Sequence, residues 1–228
     1  KPDVEQIIDL KPEAILLSPF ENGGGYGRLE EIGVPVIECA DYMEESALGR
    51  AEWMKFYGLL YGREREADSL FAVVEKNYQA LSEKANQSKI TRSVLPDRKV
   101  GPVWYLPGGE SSVGLLYKDA HGMYAYAKDK HSGSLSMPFE TVLDKFVQSD
   151  FWILSYRGDF NRAKLLAEFQ GYSMLKPCRT GEIYGCKVDS IPYFEEVSWR
   201  PDWLLSDLIQ LFHPDLHIAP MRYYHKLK

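Results

Sequence analysis

Apolar and polar positions along this chain follow two periods, and the switches between them mark its elements. Residues 2–10 (Pro-Asp-Val-Glu-Gln-Ile-Ile-Asp-Leu) predict a short helix with Pro and acids in its first turn, where fixed φ and the macrodipole favour them; Lys11-Pro12 stops it. Residues 14–17 are short and continuously apolar, as a parallel strand covered on both faces is. A loop over 18–27, a helix over 28–32 and a second strand over 34–38 complete half of a doubly wound α/β unit. From 45 to about 84 the pattern is helical. Ala67, Leu70, Phe71, Val74, Tyr78 and Leu81 recur at spacings of three and four, one apolar stripe on a long helix closed by Asn86-Gln87-Ser88. Strands over 93–95 and 103–106, with helices over 112–120, 139–147 and 161–169, then predict a second α/β region. The expected fold class is α/β: two Rossmann-like lobes joined by a long rigid helix, with residues 1–65 in the amino-terminal lobe, 66–88 in the connecting helix and 89–228 in the carboxyl-terminal lobe.

A faint internal repeat points the same way. Glu5-Gln6-Ile7-Ile8-Asp9 leads to Ile15-Leu16-Leu17-Ser18 as Glu140-Thr141-Val142-Leu143-Asp144 leads to Trp152-Ile153-Leu154-Ser155, with two extra residues in the second copy. Each copy is a helix feeding a strand, and each is followed by a loop and a helix. Two related lobes would offer a ligand equivalent surfaces across a cleft.

Composition narrows the function. The chain has 228 residues, 45% hydrophobic and 26% charged, ample for a packed core, and its longest apolar run is far short of a spanning helix. With 27 Lys+Arg against 33 Asp+Glu the net charge is −6, and no basic stripe appears, so nucleic acid is not an expected partner. Cys39, Cys178 and Cys186 include no Cys-x-x-Cys pair, and His121, His131, His213, His217 and His225 have no metal-ligand spacing. Cys178 and Cys186 can pair as a disulfide or stand with Cys39 as reduced thiols, the simpler reading. There is no Gly-x-Ser-x-Gly elbow and no catalytic set, so no catalytic residue, metal or cofactor is assigned.

Two loops are candidates for chemistry. Glu21-Asn22-Gly23-Gly24-Gly25-Tyr26-Gly27 sits between a predicted strand and helix, the context of a dinucleotide fingerprint. Read from Gly23, however, the third glycine falls on Arg28, and Glu38 follows after 15 residues instead of about 20. A flexible loop at the carboxyl end of a strand, lining a cleft, is the better reading. Aromatic residues make up 13% of the chain, and Tyr42, Trp104, Tyr105 and Tyr156 fall in or beside predicted loops. The strand end Trp104-Tyr105-Leu106-Pro107-Gly108-Gly109 is expected to present its rings to a cleft. His131, in His131-Ser132-Gly133-Ser134, is either a ligand contact or a solvated loop residue.

Two segments resemble a known family. Residues 1–18, with Pro-Asp-Val-Glu-x-Ile-Ile-Asp-Leu-Lys-Pro-Glu-Ala-Ile-Leu, resemble a stretch of the ABC-transporter substrate-binding proteins of the iron-siderophore, haem and vitamin B12 class. Arg200-Pro201-Asp202-Trp203-Leu204-Leu205-Ser206-Asp207-Leu208-Ile209, then Leu211-Phe212-His213-Pro214-Asp215-Leu216, looks like that class's carboxyl-terminal helix, and residues 111–122 are similar to a helix of its second lobe. The glycine-rich loop is unusual for it. The resemblance implies a bilobal, non-enzymatic protein that captures an iron chelate, haem or corrinoid and delivers it to an ABC permease dimer of the inner membrane. It also implies a periplasmic or lipid-anchored envelope protein of a bacterium, and a chain lacking about the first half of its amino-terminal lobe. Ligand contacts are expected from Phe20, Asn22 and Tyr42 on one lobe and Trp104, Tyr105, His131 and Arg157 on the other. Glu5 and Glu140 occupy the positions where this class docks onto permease arginines. The rival readings are a nucleotide-dependent α/β enzyme using the 23–27 loop and a permease-free ligand sensor of the same fold.

Overall fold

The computed structural model describes residues 3–19 and 26–228, and the chain divides into two units, Lys1–Glu44 and Glu45–Lys228. In the first, Asp3 caps helix α1 (Val4–Leu10) by accepting from the N–H groups of Glu5 and Gln6, and Lys11, left-handed at φ 47°, ends it. Strand β1 (Ile15–Leu17), helix α2 (Arg28–Glu31) and strand β2 (Val36–Glu38) follow; the strands pair in parallel, with Ile15 opposite Val36 and Leu17 opposite Glu38. This is the strand–helix–strand unit that the pattern predicts, packed around Ile15, Leu29 and Cys39. Phe20, Asn22, Gly23, Gly24 and Gly25 lie outside the described residues.

The second unit opens with two helices, α3 (Ala47–Leu60) and α4 (Glu64–Ala85). The helical pattern that runs from 45 to 84 is split where Gly62 takes φ 63°, a conformation an L side chain resists. Gly58 lets the two helices close, since a Cβ there would stand 2.4 Å from that of Ala67. The predicted stripe faces inward at Ala67, Phe71, Val74 and Tyr78, while Leu70 is exposed. The chain continues through β3 (Val94–Pro96), β4 (Lys99–Val100), β5 (Val103–Pro107), α5 (Ser112–Asp119), β6 (Ser134–Met137), α6 (Phe139–Phe146) and β7 (Phe151–Tyr156). Then come α7 (Arg162–Glu168), α8 (Lys176–Thr180), β8 (Ile183–Lys187), α9 (Tyr193–Val197), α10 (Pro201–Phe212) and β9 (His225–Lys226).

β3, β7 and β8 form a parallel ladder, with β9 antiparallel on the far edge of β8, in the order β3-β7-β8-β9. β7, Phe-Trp-Ile-Leu-Ser-Tyr, is buried at every position but Ser155, as a central parallel strand must be. The strand predicted over 103–106 does not join this parallel ladder. It lies instead in an antiparallel sheet, β4-β5-β6, because Gly101 at φ 60° and Pro102 form a two-residue turn that folds β5 back on β4. The matching copies of the sequence repeat occupy matching elements, α1 feeding β1 and α6 feeding β7, each followed by a helix. Cys178 and Cys186 are buried free thiols, which burial pushes up to about 11 and about 12.

α10 is apolar on almost every side and packs against α4. Its one deeply buried acid without an arginine clamp, Asp207, accepts from the backbone N–H groups of Arg222 (2.8 Å), Tyr223 (2.7 Å) and Tyr224 (3.0 Å), tying the segment before β9 to the core. Removing that carboxylate strands three donors that the fold has already taken from water. Asp207→Ala is expected to lower stability by about 3 kcal/mol, read from urea denaturation, because each orphaned buried donor costs on the order of 1–3 kcal/mol. An unchanged denaturation midpoint would show that the clamp is not what holds this segment.

Candidate ligand-binding site

The carboxyl ends of parallel strands are where open α/β sheets take ligands, because the strand order and the helix starts leave a crevice there. At that edge of the β3-β7-β8 ladder the second unit holds a cavity of about 150 Å³. Pro96 and Asp97 reach it from β3, Ile153, Leu154 and Ser155 from β7, and Cys186 from β8; Val113 and Tyr117 of α5, Tyr193 and Phe194 of α9, and Tyr224 close it.

The polar groups facing this cavity are unspent. The Asp97 carboxylate makes no hydrogen bond or ion pair with any described residue, and neither does the Tyr117 hydroxyl; the Tyr193 and Tyr224 hydroxyls have only each other. Burial lifts all three tyrosine hydroxyls well above their usual range, so they stay protonated donors and acceptors. Asp97 is an exposed residue that lines the cavity, and nearby protein still desolvates its carboxyl enough to raise it to about 6, against a smaller opposing pull from Arg98.

Asp97 points here because its backbone is held in the left-handed region, at φ 59°, which Asp tolerates better than most side chains. Three hydrogen bonds fix that turn. The Asp97 N–H donates to Ile153 O at 2.8 Å, the indole N–H of Trp152 donates to Asp97 O, and that of Trp104 donates to Pro96 O at 2.8 Å. Both indoles are 0% exposed, 5.7 Å apart, and each packs edge-on against Tyr172. Strain of this kind persists only where surrounding structure over-determines it.

The expected contact residues are distributed differently. Trp104, expected at a cleft, is core: alternate residues of β5 face opposite sides, so Trp104 and Leu106 point inward while Tyr105 is 46% exposed beside Ser136 of β6. Gly108 and Gly109 admit a neighbouring loop, since a Cβ on either would stand within 2.4 Å of the carbonyl oxygens of His131 and Asp129. His131 is exposed on that loop, with Nδ1 3.0 Å from Asp129. Arg157 follows β7 at the same strand edge as the cavity and lies within electrostatic reach of Asp189. None of these lines the cavity. Tyr42 lies in the first unit, in a short 3-10 turn, Asp41–Met43. Glu38, the acid a dinucleotide site would need, accepts from the Tyr26 hydroxyl at 2.6 Å. Glu5 and Glu140 are both exposed at the second position of their helices and form no ion pair with a described residue.

Asp97, Tyr117, Tyr193 and Tyr224 escaped the sequence reading. Asp97 had a usable signal, as an acid two residues beyond the predicted strand over 93–95. Tyr193 follows a strand, Ile-Tyr-Gly-Cys-Lys, whose Gly185 breaks the apolar pattern, and Tyr224 lies in a stretch with no period at all.

The chain belongs to the periplasmic binding protein family, whose model matches residues 1–189. Members are solute-binding proteins, not enzymes. An uncharacterized lipoprotein of the archaeon Methanocaldococcus jannaschii is 26% identical over 223 residues, covering 94% of this chain and 51% of the relative. A second lipoprotein of that organism is 24% identical over 233 residues, 98% of this chain and 59% of the relative; the chain thus spans a little over half the length of both. Among solved structures, a periplasmic heme-binding protein from Pseudomonas aeruginosa matches with TM-score 0.73 and 14% identity, over 100% of this chain and 81% of the other. A protein of the Fe3+-hydroxamate transport system of Saccharomonospora viridis matches with TM-score 0.66 and 20% identity, over 92% and 72%. These likenesses show the fold.

The raised Asp97 carboxyl has a direct consequence for stability. Ionising it costs the folded state; the cost is absent below the ordinary value of 3.8 and grows as pH rises through about 6. Asp97→Asn, whose side chain also accepts the left-handed turn, is expected to raise the Tm of the ligand-free chain at pH 7 and leave it unchanged near pH 4. An equal shift at both pH values would mean that desolvation of the carboxylate is not the cause.

Proposed function

We propose that this chain is the solute-binding part of an ABC importer, working outside the cytoplasmic membrane as a periplasmic or lipid-anchored protein and passing an iron chelate, haem or corrinoid to a permease dimer. The observation that carries the reading is the strand-edge cavity, where the Asp97 carboxylate and the Tyr117 hydroxyl converge without described partners and the Tyr193 and Tyr224 hydroxyls bond only each other. Polar groups withheld from hydrogen bonds inside a fold weaken it unless a ligand completes them. The heme-binding and Fe3+-hydroxamate neighbours and the lipoprotein relatives support the ligand class and the location. Arg157, at the same edge, suits a carboxylate on the rim of a larger ligand. Phe20, Asn22 and Tyr42 are retained as contacts from the first unit, Tyr105 and His131 from the second.

Titration of the protein with a ferric hydroxamate, hemin and cyanocobalamin, followed by tryptophan emission and Tm, should show quenching and stabilisation by one of them. No response to any of the three would sink the reading.

Docking is assigned to Glu5 and Glu140. Favourable placement of a carboxylate at a helix start is worth about 0.3–1 kcal/mol each, and α1 already has Asp3 as its cap. Both carboxylates are exposed, so charge reversal should change encounter with a basic partner more than folding. In the protein with its permease, Glu5→Lys with Glu140→Lys is expected to cut transport at least tenfold while ligand affinity and Tm stay near those of the parent. Normal transport by the double variant would remove the docking role.

A further inference from the structure

Building on the solute-binding reading above, we propose that the strand-edge cavity of the second unit receives an aliphatic ammonium group, supplied either by a small organic cation or by the cationic arm of a larger iron chelate. Asp97 carries the only formal charge among the described lining residues, and its neighbour Arg98 offsets it only in part. Arg98 is turned to Glu168, at 2.9 Å, and stacks over the ring of Phe160 at 4.6 Å. A carboxylate or phosphate entering the cavity would be repelled by that charge, whereas an ammonium would neutralise it.

The rest of the wall fits the same occupant. Tyr117, Tyr193, Phe194 and Tyr224 line the same cavity as the carboxylate, and aromatic ring faces attract organic cations, methylated ones included. The Tyr117 hydroxyl, which has no described partner, and those of Tyr193 and Tyr224, which bond only each other, keep lone pairs that can accept N–H bonds from a primary ammonium. Phe194, 58% exposed, and Val113, 42% exposed, give the mouth an apolar lip that suits the alkyl stem behind the charge. At about 150 Å³ the cavity is smaller than the roughly 300–1,000 Å³ of pockets that enclose a whole drug-sized ligand, so it takes one group or one small molecule.

A bare metal ion fits less well. Among the described residues no three His, Cys, Asp or Glu side chains come together, and hard cations are held by several anionic oxygens. Burial keeps the three phenols protonated, which leaves one carboxylate as the sole anionic donor.

Isothermal titration calorimetry on the full chain and on Asp97→Asn separates the sources. The probes are tetramethylammonium, n-butylammonium, magnesium, and a ferric trihydroxamate bearing a terminal amine beside its N-acetylated form. Binding of either small cation, weakened at least tenfold in Asp97→Asn and several-fold in Phe194→Ala, supports capture of a free organic cation. An aminated chelate that binds at least tenfold tighter than its acetylated form, with the gap lost in Asp97→Asn, supports capture of a chelate arm. Equal binding of both chelates by parent and variant, with no small cation bound, overturns the ammonium assignment and leaves the solute-binding reading standing. Magnesium binding with the same dependence on Asp97 overturns it in favour of a metal. Small-cation binding without response to any chelate, hemin or corrinoid keeps the cavity assignment and removes the iron-chelate reading.

Discussion

Two buried indole N–H groups govern the end of β3. A fully buried tryptophan needs an acceptor for its single donor, and leaving that donor unmet costs on the order of 1–3 kcal/mol. Trp104 and Trp152, both 0% exposed, meet the need at consecutive carbonyls, Pro96 O and Asp97 O. The strand therefore stops at Pro96, and the next residue is held in a left-handed turn with its carboxylate over the sheet edge. Core packing and the candidate site are one construction: the rings that fill the interior also set the direction of Asp97.

The cost of that construction falls on the ligand-free protein. An acid raised to about 6 is less favourable in the fold, when ionised, than the same group in water. Two buried groups of the same unit are satisfied by protein instead. Asp207 takes three backbone N–H bonds, and the ring nitrogens of buried His213 lie 2.7 and 2.8 Å from the carbonyl oxygens of Ile90 and Ala120. The contrast marks the cavity as a place where polar groups are left open to a ligand, as binding sites commonly leave them.

Much of this fold was legible because its elements carry strong periods. The stripe on α4, the continuous apolar run of β7 and the acid-led starts of α1 and α6 follow from side-chain spacing and helix electrostatics alone. The antiparallel turn at Gly101 was not anticipated, since a strand period says nothing of the direction in which the strand will pair. The site was less legible for a related reason. Trp104 and Tyr105 are adjacent in a strand, so only one can face a ligand, and composition does not tell which. Tyr193 and Tyr224 reach the cavity from segments 31 residues apart that have no period to mark them; only the sheet brings them to Asp97. Phe20 and Asn22 lie outside the described residues and add nothing to this comparison.

The placement of Glu140 follows from the same sheet. The last turn of α6, with Lys145 and Phe146, lies beside Ser93 and Val94 at the start of β3, so α6 runs against the strands and its first turn lies toward their carboxyl ends. That is the edge holding the cavity. On the proposed reading, a partner that meets Glu140 therefore approaches the side of the unit from which ligand enters and leaves, and docking brings the acceptor to the ligand without a large rearrangement of this unit. In the first unit Glu5 has the same relation to its own strand, at the second position of the helix that feeds β1. A capping role predicts a carboxylate at a helix start wherever a helix starts. It does not predict that the two exposed glutamates of the repeat should each stand at the start of a helix that feeds a parallel strand, and recognition by a two-fold partner does.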